Sequence, residues 1–284
     1  MPSVRQRITA LTTAVVTSLA LCSLAPAQAA HAATPPTENV HSDTHHLVPR
    51  HRRDLTPKYV SLSPTYVRPY RYEGESDSRI YHSSEEWGWL NYPGKVVPGG
   101  RILNITRHLS CSTGWIVGLG KRVFILTAGH CGKIRDQFAI SDEQGNTAIV
   151  GEMVECVYIH SGDTDYGLIE FYNTRYVDSA LPLREKVVGW RTPEWLEANR
   201  PRVCHLGFRT GQSCGAFLTT QDNGIIQFRG VTDHGDSGGP TYVLVNGSIY
   251  AVRVTSYLML EDATRVGSQS IAPAMERWGL TLYA

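Results

Sequence analysis

From Gly100 onward the chain is a succession of short apolar runs broken by Gly, Asn and Asp, at 115–117, 123–126, 147–150, 168–171, 224–228, 242–245 and 249–254. Runs this short between turn-forming residues predict antiparallel β-strands and an all-β fold. No internal repeat is visible. Upstream the pattern differs: His31, His41, His45, His46 and His51 cluster, then prolines and tyrosines recur without helical or strand period. That stretch reads as a poorly ordered linker, and its histidine spacings match no defined metal site, so no metal or cofactor is expected.

The first residues carry a different signal. Arg5 and Arg7 precede an apolar stretch at 8–24, followed by Ala27-Gln28-Ala29, with a second small-residue site at Ala30-His31-Ala32. This is the layout of an export signal, assigned to residues 1–29. No other stretch is long enough to cross a bilayer. Residues 30–96 then read as a pro-region, with Arg50, Arg52 and Arg53 as processing points. A secreted, extracellular protein follows, with no membrane contact once the signal is gone.

Composition adds exclusions. The 284 residues are 42% hydrophobic and 19% charged, enough to bury a sizeable core, and the net charge is +1. So weak a field suggests neither a nucleic-acid groove nor an anionic membrane surface. Losing the signal removes Cys22 and leaves five cysteines in an oxidising compartment, too odd a number for complete internal pairing.

The chemistry concentrates in Gly235-Asp236-Ser237-Gly238-Gly239-Pro240. This hexapeptide sets one hydroxyl among closely spaced backbone amides, an arrangement for attacking a carbonyl. A serine needs a base to take its proton and donors for the resulting oxyanion. The candidate base is His130, in Leu126-Thr127-Ala128-Gly129-His130-Cys131, where a strand gives way to a turn. The carboxylate to orient it comes from Asp163-Thr164-Asp165-Tyr166-Gly167, with Asp165 preferred and Asp163 the alternative. Ser237 would attack, His130 relay the proton and the aspartate hold the imidazole tautomer, while the N–H groups of Gly235 and Ser237 take the oxyanion.

These motifs resemble those of the chymotrypsin-like serine proteases, T-A-A/G-H-C, D-x-A/G-L and G-D-S-G-G-P, in the order His, Asp, Ser. Asp165-Tyr166-Gly167 is similar to the bacterial streptogrisin and α-lytic branch, and Val97-Pro98-Gly99-Gly100 resembles that branch's mature amino terminus. The likeness covers most of 97–284. It implies two antiparallel six-stranded β-barrels, about 97–181 and 182–284, a short C-terminal helix near 271–279 and a monomer acting on polypeptides. It implies disulfides Cys111–Cys131 and Cys204–Cys214, leaving Cys156 as either a buried small hydrophobe or a reactive thiol. Closing the first of these loops is worth roughly 3 kcal/mol in the chain-entropy model. Ser256, in Val254-Thr255-Ser256, takes the place of the serine supporting the aspartate.

Departures from the family pattern bear on specificity. Val231 stands where trypsins carry the aspartate that binds Arg and Lys. Leu258 falls where a glycine often leaves the pocket open, and His234 and Tyr257 flank the same opening. The implied preference is a small or medium apolar residue. Asp233 occupies the place of a cysteine that usually bridges the nucleophile loop. Asp236 needs a buried partner, and His205 or Arg209 is the candidate. The competing readings are a protease-shaped binding or effector protein without turnover, and an esterase.

Overall fold

The computed structural model describes residues 40–41, 85–159, 164–221, 224–258 and 264–284. The signal segment, nearly all of 30–84, and Asp163 lie outside the described residues. In chain order the strands are β1 (Val40–His41), β2 (Arg101–Asn104), β3 (Leu109–Ser112), β4 (Trp115–Leu119), β5 (Arg122–Thr127), β6 (Gln137–Ser141), β7 (Thr147–Ile159) and β8 (Thr164–Phe171). There follow β9 (Val187–Trp190), helix α1 (Pro193–Asn199), β10 (Arg202–Gly207), β11 (Gly211–Thr220), β12 (Ile225–Arg229), β13 (Pro240–Val245), β14 (Ser248–Leu258), β15 (Arg265–Ser270), helix α2 (Ala272–Trp278) and β16 (Thr281–Tyr283).

The strands make two sheets, ordered β1-β16-β4-β5-β8-β7-β6-β2-β3 and β13-β10-β11-β12-β15-β14-β9. In the second, β13 also pairs with β14, so six strands close into a barrel. The first sheet forms a half-barrel beside it, which gives the all-β double-barrel architecture expected from sequence. Its backbone at the β3–β4 junction is diverted: Ser112 N–H donates to Ser237 C=O at 2.8 Å, and Thr113 N–H to Gly100 C=O at 2.7 Å. Those amides serve the Ser237 loop and the segment before β2 rather than a ladder.

Three apolar clusters hold this arrangement. Along β5, Phe124 and Leu126 face a core shared by both sheets, while Val123 and Ile125 fill the inside of the first. Strand side chains alternate between faces, so a strand buried on both reads as the unbroken apolar run seen in the sequence. The shared core also takes Trp115, Tyr166 and Leu168 from the first sheet and Leu206, Tyr242 and Val254 from the second. Val203, Phe228, Val243 and Val252 fill the closed barrel.

Helix α2 ends at Gly279, whose φ of 60° supplies the left-handed cap. The chain then crosses back, and β16 pairs with β4 of the first sheet. The C-terminal residues therefore belong structurally to the first half.

Candidate active site

Register brings His130 and Asp165 together. β5 pairs with β8 so that Thr127 faces Gly167, and Asp165 lies two residues along β8 while His130 lies in the turn three residues beyond Thr127. Asp165 Oδ2 sits 2.8 Å from His130 Nδ1, and Oδ1 accepts the His130 backbone N–H at 2.9 Å. A third donor, Ser256 Oγ, also reaches Oδ2. Ser256 is the extra residue of a β-bulge, since Thr255 faces Ser268 and Tyr257 already faces Gly267. A bulge re-aims a side chain, here out of the second barrel onto a carboxylate of the first. Burial by itself raises the carboxyl pKa, but His130 and Ser256 together hold Asp165 below the ordinary carboxylate value.

Ser237 arrives from the other side. Gly238 N–H donates to Thr255 C=O at 2.7 Å and Thr255 N–H to Gly239 C=O at 2.8 Å, strapping the loop beside Ser256. Gly238 has φ +83° and lies so close to Thr127 that a Cβ would stand 2.1 Å from its hydroxyl. Only glycine fits there. The loop is thus pressed onto the strand end that carries His130, and Cys111–Cys131 ties that turn to β3. Ser237, His130 and Gly235 are half-buried. Among the described residues the Ser237 hydroxyl and the N–H groups of Gly235 and Ser237 make no hydrogen bond.

Asp236 is fully buried, and its partners differ from those the sequence suggested. Neither the His205 nor the Arg209 side chain bonds it. Its oxygens accept from Arg209 N–H at 3.0 Å, Thr210 N–H at 3.3 Å, Thr210 Oγ1 at 2.7 Å, Thr232 Oγ1 at 3.2 Å and Asp233 N–H at 2.9 Å. Five N–H and O–H donors thus satisfy the buried carboxyl group's hydrogen-bonding needs. His205 Nε2 instead bonds Val231 C=O. Arg209 Nη2 pairs at 3.0 Å with Asp233, both side chains 7% exposed. That ion pair crosses the loop where the expected disulfide is missing. Thr210 and Thr232 could not be found from sequence, since main-chain geometry aims them.

A second buried cluster braces the far side of the His130 turn. Asn104 Nδ2 donates to Cys131 C=O at 3.0 Å and to Asp136 Oδ2 at 3.0 Å, and Lys133 N–H reaches the same oxygen at 2.8 Å. Asn104 opens an Asn104-Ile105-Thr106 glycosylation sequon, but at 1% exposed it has no room for a glycan in the folded chain. Cys204–Cys214 forms across β10 and β11. Cys156 is half-buried, its thiol 3.4 Å from Gly129 C=O, and burial pushes its pKa up. The sulfurs of Cys111 and Cys131 lie near His130, but the disulfide leaves neither as a thiolate for a metal.

Val231 and Tyr257 are half-buried and His234 is exposed. The Tyr257 ring covers Gly267, where a Cβ would meet it at 2.4 Å. Leu258 pairs through its backbone with Val266, and its side chain lies outside the described residues.

Two β sheets meeting at a His–Asp pair and a glycine-flanked serine have the fold of the bacterial chymotrypsin-like serine proteases. The chain is similar to Thermobifida fusca protease A, with 22% identity over 66% of this chain and 98% of that one and a TM-score of 0.52. It is similar also to a glutamic-acid-specific serine protease described as using a histidine triad in substrate binding (20% identity, 66% and 100% covered, TM-score 0.53) and to α-lytic protease homolog N4 (24%, 66% and 98%, TM-score 0.50). No protein-family model and no curated protein matches the sequence.

Proposed function

We propose that the chain is a secreted serine endopeptidase that cleaves polypeptides through an acyl-enzyme. One observation carries the reading: Asp165, buried at the junction of the sheets, accepts from the His130 ring, the His130 backbone and Ser256 at once. Such an aspartate fixes the imidazole with Nδ1 protonated and Nε2 free to act as base. Ser237 Oγ attacks the substrate carbonyl carbon as His130 Nε2 takes its proton. The oxyanion is received by the N–H groups of Gly235 and Ser237, which have no competing acceptor among the described residues. The imidazolium returns its proton to the leaving amine, and water repeats the sequence on the ester. The Ser237–His130 bond is left to form as substrate arrives, as in many unliganded sites.

The two disulfides support an oxidising, extracytoplasmic setting, and no helix among the described residues is long and apolar enough to cross a membrane. Val231, standing where trypsins carry the aspartate that binds Arg and Lys, supports a preference for small or medium apolar residues over Arg or Lys. A fluorophosphonate probe tests the chemistry: the secreted chain labels and Ser237→Ala does not. An unlabelled wild type favours the binding-protein reading, and ester turnover without peptide cleavage favours the esterase.

A further inference from the structure

The segment 85–96, which the sequence assigns to the pro-region, is built into the domain. It opens with a 3-10 turn, Glu85–Asn91, whose Trp87 and Leu90 are 8% and 0% exposed. Both join the core shared by the two sheets, alongside Leu206 and Phe208. Downstream, Gly94 N–H donates to Ser141 C=O at 3.1 Å, Val96 N–H to Tyr176 C=O at 2.7 Å, and Val96 C=O accepts from Asp178 N–H at 2.8 Å. The segment thus touches both halves, with its aromatic end on the second.

What Trp87 sits on matters most. Gly211 has φ +70°, and a Cβ there would stand 2.6 Å from Trp87 Cδ1, so the indole lies directly on this backbone. Gly211 closes the β10–β11 turn, whose preceding residues Arg209 and Thr210 donate their N–H groups to Asp236. The same turn supports the proposed oxyanion donor: a Cβ on Gly235 would fall 2.7 Å from Phe208 Cζ and 2.8 Å from Arg209 Cγ. Asn91 Nδ2 closes the 3-10 turn on Gly88 C=O at 3.1 Å.

We infer that residues 85–96 remain in the working enzyme and that Trp87 is a positioning residue, holding the 208–211 turn so that Asp236 and Gly235 keep the nucleophile loop in its reactive form. The inference rests on the endopeptidase reading. Trp87 acts through Gly211 and the turn, touching neither substrate nor the reacting atoms. Removing it therefore slows the chemical step more than it weakens substrate binding.

Two measurements on the full-length secreted chain test this. The active fraction, isolated by fluorophosphonate capture, is sequenced from its amino terminus and is expected to begin upstream of Glu85; a fully active form beginning at Val97 overturns the inference. Trp87→Ala is then compared with wild type per titrated site on an ester substrate. The expected result is a kcat lowered about tenfold or more with KM within about twofold, a matching fall in labelling rate, and recovery in Trp87→Phe. A Trp87→Ala enzyme that titrates fully and keeps kcat within about twofold of wild type refutes the positioning role. Should that variant fail to fold, Trp87→Leu is held to the same criterion. A wild type that never labels removes the endopeptidase reading itself, a result distinct from wild-type labelling unaffected by Trp87.

Discussion

The Arg209–Asp233 pair gives the most quantitative test of how the Ser237 loop is held. Both side chains are 7% exposed and 3.0 Å apart, so solvent screening is slight. Removing one partner of such a pair strands a charge, at a typical cost of about 3–5 kcal/mol. Arg209→Met keeps the methylene that packs beneath Gly235 while deleting the cation. Asp233 Oδ1 still accepts the His234 N–H at 2.7 Å, which places the expected loss at the low end, about 3 kcal/mol. With a urea dependence of about 2 kcal/mol/M, the midpoint falls by about 1.5 M. The double variant Arg209→Met/Asp233→Leu removes both charges and is expected within about 1 kcal/mol of the parent. The assay is urea unfolding followed by tryptophan fluorescence in a Ser237→Ala background, which prevents self-digestion. If Arg209→Met loses under about 1 kcal/mol, or the double variant loses as much as the two singles added, the pair does not hold the loop.

Three further outcomes follow from the same geometry. Arg253 is fully buried, donates to Gly224 C=O, and leaves Nε and Nη2 without partners among the described residues. Arg253→Met should therefore cost no more than about 1 kcal/mol by urea unfolding, and a loss near that of Arg209→Met would refute this. Gly238→Ala must fit a methyl at φ +83° against Thr127; it should lose well over about 1 kcal/mol of stability and about two orders of magnitude in labelling rate, and near-wild-type labelling would count against the loop geometry. Asp165 and Asp136 both have depressed carboxyl pKa values: burial opposes ionisation in each, but His130 and Ser256 prevail at Asp165, and Asn104, Lys133 and Arg107 at Asp136. A carboxylate depressed by folding stabilises above its unfolded pKa of about 3.9 and loses that contribution as pH falls through the folded value. Stability should thus drop below about pH 4, more gently in Asp165→Asn/Ser237→Ala than in Ser237→Ala, and a flat profile contradicts it.

The sequence exposed best what local chemistry dictates. The runs at 115–117, 123–126 and 168–171 are strands buried on both faces, so their hydropathy alone identifies them. The chain order of His130, Asp165 and Ser237 is likewise read directly from their motifs. β2 and β15 were not: Arg101 and Asn104 lie buried in the first, and Ser268, Gln269 and Ser270 in the second. Part of the closed barrel is lined by hydroxyls, Thr241 bonding Thr255 at 3.3 Å and Ser268 at 3.1 Å. Polar groups paired with one another can occupy a core that hydropathy assigns to surface. The partners of Asp236 were hidden for another reason, because three of its five donors are main-chain amides, which every residue but proline carries. The packing of Trp87 and Leu90 escaped because the proline-rich surroundings masked two anchors in a short turn.

The site's dependence on the whole fold follows from where its parts originate. His130 and Asp165 come from the first sheet, Ser237 and Ser256 from the second, so their alignment can be no better than the packing between sheets. That packing is apolar and continuous, from Trp115 and Leu126 to Leu206 and Val254, and close-packed interfaces resist small displacements. The chain end reinforces it. After the second barrel is complete, α2 sets Trp278 edge-on against Tyr166, ring centres 5.4 Å apart, one residue from Asp165. β16 then hydrogen-bonds to β4 of the first sheet. The return is a clamp, because sliding one half against the other must break either that ladder or the aromatic contact. Residues 85–96, ahead of β2, do the same from the other end of the two-sheet domain, bonding Ser141 of β6 through Gly94 and residues 176 and 178 through Val96, and seating Trp87 on Gly211 of the second sheet. The proposed triad, divided between two halves, is thereby held by segments at both ends of the two-sheet domain as well as by the core between them.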